Sequence, residues 1–124
     1  MTSMVKTGKI SIKRLELWLA CLDPTLGGEI QKTRPVLVVS NNDNNRANSV
    51  ITVLPITSNI SFIADFDVYI PAGTAGLSKN SKAKADQIRA ISKERLIKKI
   101  GRLPESFRQS VNNSMLIHLD LNIK

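Results

Sequence analysis

Two short segments carry residues that could act together chemically. In the first, Asp23-Pro24-Thr25-Leu26-Gly27-Gly28-Glu29 forms a glycine-bearing loop that leads through Thr33-Arg34-Pro35 into the apolar run Val36 to Val39. In the second, the run Val50 to Leu54 ends in Pro55-Ile56-Thr57-Ser58-Asn59, which presents two adjacent hydroxyls. A guanidinium offers a planar fork of N–H donors suited to phosphate oxygens, and a hydroxyl can donate to the same oxygens without adding negative charge. Proline fixes its own φ and restrains its predecessor, so Arg34 is held at a loop-to-strand junction. If the two runs pair as strands, both polar clusters sit at one end of a sheet. Taken singly, Arg34 also fits a structural ion pair with Glu29, and Thr57 a turn-forming hydroxyl.

Other reactive side chains lack company. The lone Cys21 and single His118 leave no Cys/His cluster at metal-ligand spacing, so neither a structural zinc nor another cofactor is expected. Cys21 reads as a small buried residue rather than a nucleophile. His118 has no neighbouring group to orient it for acid/base work. Asp65 and Asp67 share a strand face but have no evident third ligand, and solvation is the expected state of both.

Composition narrows the partner. The chain has 124 residues, 42% hydrophobic and 23% charged, which fits one soluble globular domain. Eighteen Lys and Arg against ten Asp and Glu give a net charge of +8, the footprint of a protein with a polyanion partner. The excess is concentrated in Lys79, Lys82, Lys84, Arg89, Lys93, Arg95, Lys98, Lys99 and Arg102, opposed by Asp86 and Glu94. A solvated face kept for solubility accounts for that run equally well. Aromatic residues are sparse, which speaks against a broad base-stacking platform. No apolar run approaches the roughly 20 residues that span a bilayer, and the start, MTSMVKTGKISIKR, is polar and basic. A cytoplasmic location without membrane contact is the expectation.

The elements that must position the two clusters are short. Leu15 to Leu22, Val36 to Val39, Val50 to Leu54, Asp67 to Ile70, Gln87 to Ile91 and Ile97 to Ile100 read as strands, with a helical turn at Ser92 to Arg95. Asn41 to Asn48, NNDNNRAN, reads as a turn-forming stretch. Between Glu105 and Leu121, Phe107, Val111, Met115, Leu116 and Leu119 recur at helical spacing behind Pro104. These elements predict a mainly β, α+β domain over 14–124: a small, highly curved sheet or partly open barrel closed by a C-terminal helix. Residues 1–13 form a basic leader, flexible or in contact with a partner.

The segment LWLACLDPTLGGEIQKTRPVLVVSNN, then Asn45-Arg46 and LPITS at Leu54 to Ser58, resembles the MazF/PemK toxin endoribonucleases. That family typically shows a DP or SP turn, a G-x-E loop, RP before an apolar strand, and a later strand ending in T or TS. DQIRAISKERL, Asp86 to Leu96, is similar to the family's Q-x-R-x-I element. The resemblance implies a homodimer with an SH3-like, CcdB/PemK-type barrel. It also implies metal-independent, sequence-selective cleavage of single-stranded RNA and neutralisation by a cognate antitoxin. Such a toxin–antitoxin complex would also meet operator DNA. By position, the catalytic arginine falls on Arg34 and the catalytic hydroxyl on Thr57, while Glu29, Thr33, Ser58, Gln87 and Arg89 line the RNA surface.

Metal-free cleavage can use the substrate 2′-hydroxyl as nucleophile, giving a cyclic phosphate through a crowded anionic phosphorane. A guanidinium keeps its proton near neutrality and is a poor general base, so charge stabilisation, with leaving-group protonation, is the expected role of Arg34. Two alternatives remain open: a non-catalytic CcdB-like toxin that binds a protein target through its C-terminal helix, and a basic nucleic-acid-binding module. An acidic, partly disordered antitoxin segment is expected from charge complementarity.

Overall fold

The computed structural model describes residues 11–24, 26–30 and 32–121. Residues 1–10 of the basic leader therefore lie outside the described residues; Ile12 is buried and the Lys13 N–H donates to Glu16. Among the described residues, seven strands form one antiparallel sheet: β1 (Glu16–Cys21), β2 (Thr33–Val38), β3 (Val50–Thr57), β4 (Asp67–Ile70), β5 (Ser81–Lys84), β6 (Arg89–Ser92) and β7 (Leu96–Arg102). Their order is β4-β5-β3-β2-β1-β7, with β6 also paired to β3. A one-turn-and-a-half helix, α1 (Asn42–Ala47), joins β2 to β3, and α2 (Arg108–His118) closes the chain.

Both faces of the sheet are apolar, because successive side chains on a strand point to opposite sides. One face gathers Leu17, Leu37, Leu54, Ile56 and Ile70 beneath Val111, Phe107 and Met115 of the C-terminal segment. The other gathers Trp18, Ala20, Val36, Val38, Ile51, Val53, Ile91 and Leu96, with Ile30 of the β1–β2 loop packed on it. Trp18 is buried, and its indole N–H donates to Glu16 Oε1 at 3.0 Å, while Glu16 Oε2 lies 3.0 Å from Lys99 Nζ. Arg14 ties α2 to the sheet by donating to the Val39 carbonyl and to Asn112. Burial, with Arg108 nearby, pulls its guanidinium below the ordinary arginine range.

Several elements depart from the expectations above. Asn41 to Asn48 holds a helix, because the Asn41 side chain accepts the Asn44 N–H as an N-cap and Asp43 occupies the first turn. Strand β3 runs through Pro55 to Thr57. Pro55 can sit there because β3 pairs with β6 only over Val50–Val53 and with β5 only over Ile56–Thr57. Ser81–Lys84 is a full strand, β5, with Lys82 side-on to Asp67 and Lys84 to Asp86. Asp67 is consequently not solvated: its side chain is 1% exposed, while Asp65 is exposed as expected. Glu105–Phe107 is a 3-10 turn, α2 proper begins at Arg108, and Leu119 lies beyond its end, exposed.

Candidate active site

Strand register decides whether Arg34 and Thr57 can meet. Strands β2 and β3 pair through Val38↔Val53, Leu37↔Leu54 and Val36↔Pro55. Continued two residues further, the same register sets Arg34 opposite Thr57. The ladder stops short of them at two prolines that lack a donor, Pro35 being one residue outside the pairing and Pro55 its last member. Period-two alternation puts Arg34 with Val36 and Thr57 with Val53, on the same face. Thr57 is in turn paired with Lys82, Lys82 with Tyr69, and Arg34 with Ala20. A row across three strands therefore reads Tyr69, Lys82, Thr57, and the continued β2–β3 register adds Arg34 as its fourth member.

The main chain beyond Thr57 helps orient its hydroxyl, since the Asn59 N–H donates to Thr57 Oγ1 at 3.2 Å. Where β2 and β3 part, Arg34, Pro35, Ile56, Ser58, Ser78, Lys79 and Ser81 line a cleft. Ser58 thus shares a cleft with Arg34. Thr33, paired with Cys21 and one residue out of phase with Arg34, belongs to the opposite face.

The β1–β2 loop covers the row's own face, where Ile30 packs. Several side chains fix its shape. Asp23 accepts the Lys32 N–H at 2.8 Å, and Glu29 Oε1 accepts the Leu26 N–H at 2.5 Å. Gln87 grips the loop from outside: its Oε1 accepts the Ile30 N–H at 2.7 Å and its Nε2 donates to the Gly28 carbonyl at 3.3 Å. Arg95 Nη1 donates to the Cys21 carbonyl at 3.1 Å and to that of Asp23. Gly27, at φ +58°, turns the chain in a region that disfavours a side chain.

Glu29, Asp86, Gln87, Ile88 and Arg89 line a second cleft beside the loop. Arg89 Nη1 is buried without a hydrogen-bond partner, which is uncommon for a buried polar atom. Of the residues expected to line an RNA surface, Glu29, Gln87 and Arg89 are together, Ser58 is with Arg34, and Thr33 is apart. Lys82 and Arg95 were not among the expected site residues. Lys82 could have been found only from its pairing with Thr57, and Arg95 only from the loop carbonyls it reaches. The basic run is also partly neutralised, because Lys82, Lys84, Lys99 and Arg102 pair with Asp67, Asp86, Glu16 and Glu105.

Among the described residues, no group of three or more His, Cys, Asp or Glu could hold a metal ion. No helix among them is long and apolar enough to cross a membrane. His118 is exposed, its ring centroid 5.6 Å from that of Phe66.

Residues 13–119 match the family model described as PemK-like, MazF-like toxin of type II toxin-antitoxin system. The chain is 42% identical over 118 residues to Endoribonuclease MazF9 of Mycobacterium tuberculosis, covering 89% of this chain and 98% of that protein. It is 34% identical over 111 residues to Endoribonuclease EndoA of Bacillus subtilis, covering 89% and 96%. In fold it is similar to the crystal structure of MazF (Form-I) from Deinococcus radiodurans, with a TM-score of 0.77, 23% identity and coverage of 91% and 100%. A structure titled as an endoribonuclease in complex with its cognate antitoxin, from a mycobacterial species, matches with a TM-score of 0.76, 19% identity and coverage of 92% and 100%.

Proposed function

The chain belongs to the PemK-like, MazF-like toxins of type II toxin–antitoxin systems and is an endoribonuclease, and from that premise we propose that it cuts single-stranded RNA with Arg34 and Thr57 at the scissile phosphate. The reading is supported by the β2–β3 register, Val36↔Pro55 to Val38↔Val53, which, continued two residues past the end of the ladder, brings Arg34 and Thr57 opposite one another on one face. The substrate 2′-hydroxyl attacks the adjacent phosphorus and gives its proton to solvent, the P–O5′ bond breaks, and a 2′,3′-cyclic phosphate remains; the proton that Arg34 passes to the leaving oxygen is restored from solvent. Arg34 stabilises the negative charge that grows on the phosphorane oxygens and protonates the leaving oxygen, while Thr57 donates a hydrogen bond to a phosphate oxygen. The reaction needs no metal, because charge stabilisation comes from the guanidinium and strand attack from the RNA itself.

The cleft of Glu29, Gln87 and Arg89 takes neighbouring nucleotides, and Ser58 contacts the phosphate beside Thr57. A mixture of one cation with the carboxylates Glu29 and Asp86 repels a bare phosphate and suits the polar edge of a base. The protein acts as a homodimer in the cytoplasm. A cognate antitoxin with an acidic, partly disordered segment neutralises it, and the joint complex binds operator DNA. The test is incubation of the purified chain with a long unstructured RNA in excess EDTA, followed by mapping of both new ends. Cleavage at a short recurring sequence with a 2′,3′-cyclic phosphate is expected; intact RNA, or cleavage that EDTA abolishes, overturns the proposal.

A further inference from the structure

Five aromatic residues occur in the chain, and their placement is uneven. Trp18 is buried, and Phe66 and Phe107 pack against the core. The two exposed ones, Phe62 at 72% and Tyr69 at 40%, both meet at Lys82. Tyr69 pairs with Lys82 across β4 and β5, and the Phe62 carbonyl accepts from Lys82 Nζ.

The exposure of Phe62 is not the slack of a loop tip. Lys82 Nζ lies 3.5 Å from Asp67 Oδ2, with the two side chains 10% and 1% exposed. The same carboxylate oxygen accepts the Ala64 N–H at 2.8 Å. On the other side of Phe62, Asn59 Oδ1 accepts the Ser61 N–H at 3.3 Å and the Ser61 hydroxyl at 2.9 Å. The Asn59 N–H then reaches Thr57 Oγ1. The connection from Thr57 to Asp67 is thus tied to the candidate catalytic hydroxyl at one end and to the sheet in its middle.

We infer that Phe62 is a stacking platform for an unpaired nucleobase next to the scissile phosphate, held there by the buried Lys82–Asp67 pair. The inference rests on the reading of the chain as a single-strand RNA endonuclease. Lys82 and Thr57 are direct cross-strand partners on the face that carries Arg34, so the Phe62 backbone lies within one lysine side chain of the catalytic row. Single strands expose the π-faces of their bases, and an exposed aromatic ring carried on a tethered main chain binds them with little regard to sequence. Among the described residues the one ring–ring contact is Phe66 with His118, which leaves the Phe62 ring open to a base. Phe62 would therefore add affinity at one nucleotide, while the second cleft selects among bases.

The test uses an oligonucleotide spanning a mapped cleavage sequence, with 2′-deoxyribose at the cleaved nucleotide so that it binds without being cut. Dissociation constants are measured by fluorescence anisotropy for the wild-type chain, Phe62→Ala and Phe62→Trp. Loss of one stack should weaken binding of Phe62→Ala about 5- to 150-fold, with Phe62→Trp close to wild type. An abasic nucleotide moved along the oligonucleotide should weaken wild-type binding by a similar factor at one position, and Phe62→Ala no further at that position. Binding by Phe62→Ala within twofold of wild type overturns the inference while leaving the endonuclease reading intact. So does unchanged RNA binding with altered self-association, which would make Phe62 a protein contact. A wild-type chain that neither cuts nor binds RNA overturns the endonuclease reading and the inference with it.

Discussion

Replacing Lys82 by Met, which has similar length and no charge, should destabilise the domain by about 3–5 kcal/mol. The size of the loss follows from what remains around Asp67. Its side chain is 1% exposed, Oδ1 is buried with no hydrogen-bond partner, and Oδ2 keeps only the Ala64 N–H once the ammonium is gone. An uncompensated buried carboxylate is costly, whereas a pair removed together is nearly neutral. Asp67→Asn alone should cost less, about 1–3 kcal/mol, because the Lys82 ammonium retains the Phe62 carbonyl and its slight exposure. In the double variant both charges vanish, and most of the Lys82→Met loss should return, giving a coupling of about 2 kcal/mol or more. Urea unfolding followed by circular dichroism measures all four corners of the cycle. A Lys82→Met variant within 1 kcal/mol of wild type, on the same scale of about 3–5 kcal/mol, refutes the reasoning, as does a double variant that loses the sum of the singles.

Three further outcomes follow from other contacts. Gln87→Ala removes both bonds that grip the β1–β2 loop, worth about 1–2 kcal/mol of loop order. Exchange of the Ile30 amide hydrogen should speed up roughly 5- to 30-fold while core amides hold; unchanged exchange at Ile30 would show that Gln87 does not hold the loop. The Glu105 carboxyl is drawn down from 4.5 to about 2, chiefly by hydrogen bonding from Arg108. A depressed folded-state pKa gives stability present above the unfolded value and lost as pH falls through the folded one. The small Tm difference between wild type and Glu105→Gln should therefore fade between pH 4.5 and about 2, and shrink in high salt because the group is exposed. A difference that grows on acidification would reverse that sign. Gly101→Ala would place a Cβ 2.3 Å from the Ala75 carbonyl oxygen, backbone against backbone, and should cost about 1–3 kcal/mol in thermal unfolding, whereas Gly28→Ala, with open space around it, should cost far less.

The parts of the fold legible in the sequence are those where local pattern and tertiary demand agree. Val36 to Val38 is apolar and rich in β-branched valine, and it is a buried strand between two others. The 3.6-residue spacing of Phe107, Val111 and Met115 marks the helical segment that packs on the sheet. Strand β5 was hidden because Lys82 and Lys84 look like solvent residues until Asp67 and Asp86 are placed beside them. The Asn-rich stretch was ambiguous because the side chain that makes a turn also caps a helix. For the site, sequence supplied Arg34 and Thr57, and the β2–β3 register, continued two residues past its last pair, supplied their opposition. The loop grip by Gln87 and Arg95 was not legible, because each reaches main-chain groups more than fifty residues away, and main-chain donors and acceptors leave no mark in a sequence.

In the proposed reaction Arg34 and Thr57 act on one phosphate as a unit. Single-turnover cleavage of a mapped oligonucleotide by wild type, Arg34→Ala, Thr57→Ala and the double variant tests it directly, with folding checked by circular dichroism. Loss of an electrostatic or hydrogen-bond stabiliser of the transition state should slow each single variant by about 100-fold or more. Because groups acting as a unit are not additive, the double variant should be little slower than the worse single. Full activity in either folded single variant, or a double variant slowed by the product of the two factors, would contradict the account.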